Sequence, residues 1–254
     1  MSFTIPFVSA SQVLPQTPAS SPKLPSTGLK TTDELLNQVC DFLKAQKSFT
    51  VEMDITYDNV LDSGEKVQYA AYQRIWVRKP NQLRSDYTGD ERNTSFYYDG
   101  NYLTLQDTDL DLYATKPAAP SIDELVKNVE TKYGFTIPMS NLLVSDPCAA
   151  VTSDIQKSVF VGSNMVNRVP AYHLLFTGED VDWQIWVSKA QQPLPMKVAI
   201  TYKNLPNAPQ YTAVLSKWNF VPKISADIFT FEPPEGAIGI EFLPAENVSD
   251  AAEN

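Results

Sequence analysis

The sequence predicts a mostly β (α+β) fold, with one continuous, curved antiparallel sheet and helices covering one mouth or face of it. Three observations carry this. Phe49–Asp58 alternates strictly between apolar and polar residues, the mark of a strand with one dry face and one wet face. Strand-like runs joined by short turn signals fill most of the chain, about six before a helical insert and about five after it, so neighbours run antiparallel. Aromatic residues make up 11% of the chain, and such side chains favour a pleated, half-buried surface.

The elements follow in order. Residues 1–30 hold five prolines among many Ser and Thr residues and read as a disordered leader. The apolar run Phe3–Val8 is interrupted by Pro6 and has no preceding Lys or Arg, so it reads at most as a signal remnant. Thr31 and Glu34 have capping-box spacing, and Leu35, Leu36, Val39, Cys40, Phe42 and Leu43 form the apolar stripe of a helix ending near Gln46. After Phe49–Asp58, the turn Asp62-Ser63-Gly64 leads into a second long strand, Val67–Arg78. Lys79-Pro80-Asn81 turns the chain into Leu83–Thr88, and Gly89–Asn93 is a polar loop. Ser95–Tyr98 and Tyr102–Gln106 flank Asp99-Gly100, a strong hairpin signal. Asp107–Tyr113 continues as a short strand, and Lys116–Pro120 is a connector.

Ser121 and Glu124 form a second capping box for a helix through Tyr133, with Gly134 as its stop. Ile137–Val151 is apolar, short-range helical and broken by Pro138 and Pro147. Strands then return at Ile155–Val161, Ala171–Thr177, Val181–Ser188, Met196–Lys203 and Tyr211–Phe220. Residues 31–243 thus form a single domain, followed by a flexible acidic tail over 244–254. No internal repeat of fixed period is present.

Composition narrows the function. The 20 basic and 30 acidic residues give a formal net charge of −10, which disfavours nucleic acid and anionic surfaces. No stretch reaches the roughly 20 apolar residues of a membrane-spanning helix. The two cysteines, Cys40 and Cys148, either pair in an oxidising compartment or remain buried thiols.

Catalytic signatures are missing. The one histidine, His173, lies inside a predicted strand, without a nucleophile elbow elsewhere, and reads as a packed residue. One His and two distant Cys do not make a zinc site. Asp107, Asp109 and Asp111 resemble the start of a calcium loop but lack its Gly and closing Glu, so a solvated face is preferred. A glycosidase-type carboxylate pair is defined by distance and not by sequence. The chain is read as a non-enzyme, and no cofactor or metal is implied.

The second half carries a resemblance. Tyr172-His173-Leu174-Leu175-Phe176, Val181-Asp182-Trp183-Gln184-Ile185-Trp186-Val187, Pro193-Leu194-Pro195-Met196-Lys197, Lys217-Trp218-Asn219-Phe220 and Phe229 through Ala237 are similar to a bacterial family of predicted periplasmic proteins, domain of unknown function 2092. Arg78 through Arg84 and Tyr98 through Leu103 extend the likeness over about Thr31 to Phe242. This family resembles the LolA/LolB lipoprotein carriers. The resemblance implies an open half-barrel of about eleven strands, helices plugging its mouth, and an apolar cavity that in those carriers holds acyl chains.

The expected function is therefore a periplasmic or secreted protein that binds a lipid or an acylated protein in a hydrophobic cavity, and acts as a monomer. Burying a methylene contributes about 0.8 kcal/mol, so an acyl chain of about fifteen supplies roughly 12 kcal/mol before entropy costs. The expected wall residues are Val51, Met53, Ile55, Ile75, Trp76, Val77, Leu103, Trp183 and Ile185, with Leu125 and Val129 on a helical lid. The competing reading is an envelope interaction module whose cavity is filled by its own side chains.

Overall fold

The structure, a computed structural model, describes residues 31–133, 137 and 139–242. The leader over 1–30, the tail over 244–254, the helix stop Gly134 and the break at Pro138 lie outside the described residues.

Two helices cover the sheet. Helix α1 (Thr32–Ala45) starts on a complete capping box, with Thr31 Oγ1 accepting from the Glu34 amide and the Glu34 carboxylate accepting from the Thr31 amide. Helix α2 (Ile122–Tyr133) is capped by Ser121, whose hydroxyl accepts from the Glu124 amide at 3.2 Å. Between α2 and the second half lie a single 3-10 turn, Ser140–Leu142, and a short α3 (Ala149–Thr152).

The strands are β1 (Ser48–Val60), β2 (Lys66–Arg78), β3 (Gln82–Gly89), β4 (Asn93–Tyr98), β5 (Tyr102–Asp107) and β6 (Leu112–Pro117) before the helical insert. After it come β7 (Lys157–Val166), β8 (Val169–Thr177), β9 (Val181–Ser188), β10 (Pro195–Tyr202), β11 (Gln210–Asn219) and β12 (Ile238–Gly239). They form one sheet in the order β12-β6-β5-β4-β3-β2-β1-β11-β10-β9-β8-β7. The two meanders join where β1 pairs with β11, and the ends β12 and β7 do not meet. The sheet is open and curved rather than closed into a barrel.

Two details depart from the sequence reading. The sheet has 12 strands rather than about eleven, because Ile238–Gly239 pairs in parallel with β6. Two residues are too short to show any periodicity. The predicted strand Asp107–Tyr113 is instead a turn followed by β6. The Asp107 carboxylate accepts from the amides of Asp109 and Leu110 at 3.0 Å, and Asp111 takes a left-handed φ of 53°. A short acidic side chain competes with the ladder for those amides, so the strand begins only at Leu112 and absorbs part of the expected connector.

The pleat sorts the side chains. On β1, Phe49, Val51, Met53 and Ile55 are all buried, and the register sets Phe49 opposite Val77 and Val51 opposite Ile75. Leu83, Tyr98 and Leu103 carry this concave row across β3, β4 and β5. The intervening residues, among them Glu52, Arg74 and Arg84, lie on the convex face. The β4–β5 turn needs glycine: Gly100 has φ 101°, and an added Cβ would sit 2.7 Å from Asn81.

The roof is tied to the sheet. Phe42 of α1 packs edge-on against Phe220, ring centroids 5.0 Å apart. Lys79, at the end of β2, donates through Nζ to the carbonyls of Val144 (2.9 Å) and Leu43 (3.5 Å), bridging α1 and the segment after α2. Burial pushes its pKa down, and the nearby Asp123 carboxylate opposes that.

Candidate ligand cavity

A partly open cavity of about 1040 Å³ lies between the β1/β9–β11 region of the concave face and the roof. That is at the upper end of the roughly 300–1,000 Å³ of small-ligand pockets. Leu36, Val39, Cys40 and Leu43 of α1 form one part of the roof, and Ile137, Met139, Leu142, Cys148, Val151 and Ile155 form the other. The floor is Trp183 and Ile185 of β9, Val198 and Ile200 of β10, and Tyr211 of β11. The helical stripe of α1 and the period-two rows of β9 to β11 face one another, so the lining is mostly apolar.

The disulfide Cys40–Cys148 joins the two parts of the roof, with Cα atoms 5.6 Å apart. Both cysteines line the cavity.

The expected wall residues separate into three groups. Trp183 and Ile185 line the cavity, and Trp183 stacks on Phe176 with ring centroids 4.1 Å apart. Val51, Met53, Ile75, Val77, Leu103, Leu125 and Val129 are buried in the contiguous core that fills the rest of the concave side, and they do not border the cavity. Ile55 is in the same core and borders a shallower recess of about 490 Å³ with Ala71, Thr88 and Thr212.

Trp76 is a correction. Ile75 and Val77 point inward, so the pleat turns Trp76 outward. There the guanidinium groups of Arg74 and Arg84 lie 4.6 Å and 5.4 Å from its ring, covering it with cations instead of a ligand. The expected wall also omits Leu36, Val39, Leu43, Val198 and Ile200, which the structure places there. The α1 stripe and the apolar Ile137–Val151 run are visible signals for the roof, but neither says which sheet rows it covers.

One mouth of the cavity is polar. Tyr57, Tyr87, Tyr202 and Tyr211 stand there with Arg92, Asp58, Asp154, Glu179 and Asp180. Tyr57 Oη donates to Glu91 Oε2 at 2.5 Å. Burial first, then this carboxylate and the Tyr87 hydroxyl, hold Tyr57 well above the ordinary tyrosine range. Burial likewise raises Tyr202 and, more strongly, Tyr211. These phenols are neutral hydrogen-bond donors at any physiological pH.

The histidine and the acidic run singled out in the sequence lie away from the cavity. His173 lies on the convex face, stacked on Trp186 at 4.0 Å, with Nδ1 2.7 Å from Asn164 Nδ2 and Nε2 2.8 Å from Gln184 Oε1. With the proton on Nε2, both contacts are satisfied, so the imidazole is a packed residue. Asp107 and Asp109 are occupied by turn and Asn93 contacts. Among the described residues no group of three or more His, Cys, Asp or Glu side chains is placed to hold a metal ion.

Residues 32–243 match a family described as predicted periplasmic proteins. The chain belongs to the DUF2092 family. The description names no reaction. A search of curated proteins finds no match. Among solved structures, the chain is similar to an uncharacterized conserved protein from Thermus thermophilus, at 9% identity and TM-score 0.47, covering 84% of this chain and 99% of that one. It is similar to the lipoprotein LppX of Mycobacterium tuberculosis at 13% identity and TM-score 0.43, covering 75% and 96%. A LolA superfamily protein from Nitrosomonas europaea is similar at 13% identity and TM-score 0.35, covering 80% and 99%. In this DUF2092 member, no helix among the described residues is long and apolar enough to cross a membrane.

Proposed function

We propose that this protein binds an apolar ligand, a lipid or the acyl chains of an acylated protein, in the cavity beneath α1, and that it does so without chemistry. The observation that carries this is the cavity itself. About 1040 Å³ of space between an apolar floor and an apolar roof has not been filled by the protein's own side chains. An interior normally packs to crystal-like density, so an apolar void of this size costs stability unless something occupies it. A partly open side gives an entry path.

The test is native mass spectrometry of the protein purified from its own host. A retained mass that releases as a lipid supports the proposal. An empty protein that also ignores an added alkane and an added acyl ester overturns it.

The competing reading, an envelope interaction module, draws on the other part of the concave side, where Ile75, Val77, Leu83, Tyr98 and Leu103 close the space completely. It gains if no acyl species binds and a specific envelope protein is recovered instead.

A further inference from the structure

The polar mouth of the cavity points to the chemistry of the ligand's head, given that the cavity takes an apolar ligand as proposed above. Tyr211 lines the cavity, yet its hydroxyl is shielded from solvent and has no hydrogen-bond partner among the described residues. A buried hydroxyl left unpaired carries its full desolvation cost. Tyr202, half-buried, stands beside it at the end of the adjacent strand β10, and Tyr57 lies directly across from it on β1. Tyr57 already gives its proton to Glu91, so it is the Tyr211 hydroxyl, with Tyr202 beside it, whose proton lacks an acceptor among the described residues.

The charges at the same mouth say what kind of acceptor. Asp154, Glu179 and Asp180 border it, against one basic residue, Arg92. Asp58, next to Tyr57 on β1, turns its carboxylate to the other face and pairs there with Lys66 at 3.1 Å, so the mouth keeps three acidic residues against one basic one. The Arg92 guanidinium lies 5.7 Å from the Tyr87 ring and keeps its charge, which is outnumbered. An anionic head would meet net repulsion here, while a neutral carbonyl would not.

We infer that the ligand's polar end is an uncharged acyl ester, whose carbonyl oxygen accepts a hydrogen bond from the tyrosines of this mouth, Tyr211 and Tyr202 above all. The acyl chain then runs inward between Trp183 and the α1 stripe. The mouth thus selects esterified chains over free fatty acids.

The experiment is displacement of a neutral fluorescent dye, N-phenyl-1-naphthylamine, by dodecane, dodecanoate and methyl dodecanoate at pH 7.5. Methyl dodecanoate is expected to compete best. Tyr211→Phe is expected to weaken the ester by about fivefold, the factor that one ordinary hydrogen bond supplies, and to leave dodecane unchanged. Tyr202→Phe serves as the second variant, with the same expected pattern. Dodecanoate competing better than the ester, or both variants leaving the ester unchanged, would overturn the inference while dodecane displacement kept the apolar-ligand reading intact. Failure of the dye and all three competitors to bind would overturn both.

Discussion

Cys40 on α1 and Cys148 before α3 are joined by a disulfide across 108 residues of sequence, and both face the cavity whose roof they hold together. The bond closes a loop that contains the whole first meander and α2. It therefore restrains the unfolded chain strongly and, in the folded state, keeps α1 and the 139–156 segment from parting. Replacing both cysteines by serine is expected to cost about 2–5 kcal/mol of stability, the usual range for a native disulfide. Urea unfolding of the double variant beside the oxidised parent checks this; an unchanged midpoint would mean the bond contributes nothing.

Trp183 and Met53 distinguish cavity from core. Met53 is fully buried in the filled part of the concave side, so Met53→Ala is expected to lower stability by about 2–5 kcal/mol and leave dye affinity unchanged in the folded fraction. Trp183 lines the open part, and Trp183→Ala is expected to weaken the dye by roughly tenfold, about 1.4 kcal/mol. Equal effects of the two on dye binding would place the binding site elsewhere.

Trp76 gives the converse control. Its ring lies under Arg74 and Arg84 on the convex face. Trp76→Phe should leave dye binding unchanged and cost about 0.5–1 kcal/mol from weaker cation–π contacts. Titration and thermal melts of the one variant measure both quantities.

Acid should destabilise the fold through two sheet carboxylates. The Lys217 ammonium, hydrogen-bonded to Glu52, outweighs burial and, with Tyr72, lowers the Glu52 pKa below its ordinary value of 4.5. Burial would raise Asp58, but the Gln210 amide and Lys66 more than offset it and bring its pKa below 3.8. Both groups are more acidic folded than unfolded, so their stabilisation is complete above the unfolded values and lost as pH falls through the folded ones. Melting temperature followed from pH 7 down to pH 3 should hold steady until about 4.5 and then fall. Lys217→Met should flatten the descent, since it removes the first cause of the Glu52 shift.

Much of this fold is legible in local sequence. The strict alternation of Phe49–Asp58 appears as a row of buried residues on β1, and the Asp99-Gly100 signal as the β4–β5 turn. Thr31 starts one helix with a complete capping box, and Ser121 caps the other through its hydroxyl. Such features are set by backbone hydrogen bonding and side-chain periodicity within a few residues, so no distant contact is needed to read them. The turn at Asp107–Asp111 is not legible in this way, because a carboxylate captures amides that periodicity assigns to a ladder. Trp76 departs from expectation for a simpler reason: three consecutive residues of a strand cannot share one face.

The helices, the strands and their apolar rows follow from the order of neighbouring residues, and so are written in the chain. Two antiparallel meanders follow too, since their turns are short, but only the pairing of β1 with β11, strands far apart in the chain, joins them into one sheet. Which rows are filled and which are left open is a matter of three-dimensional packing. Val51, Ile75 and Leu103 are as apolar as Ile185 and Val198, yet the first three are packed shut and the last two border the cavity. The difference lies in what comes down onto each row from above. That is set by where α1, the Lys79 bridge and the Cys40–Cys148 bond hold the roof, through contacts between residues far apart in the chain.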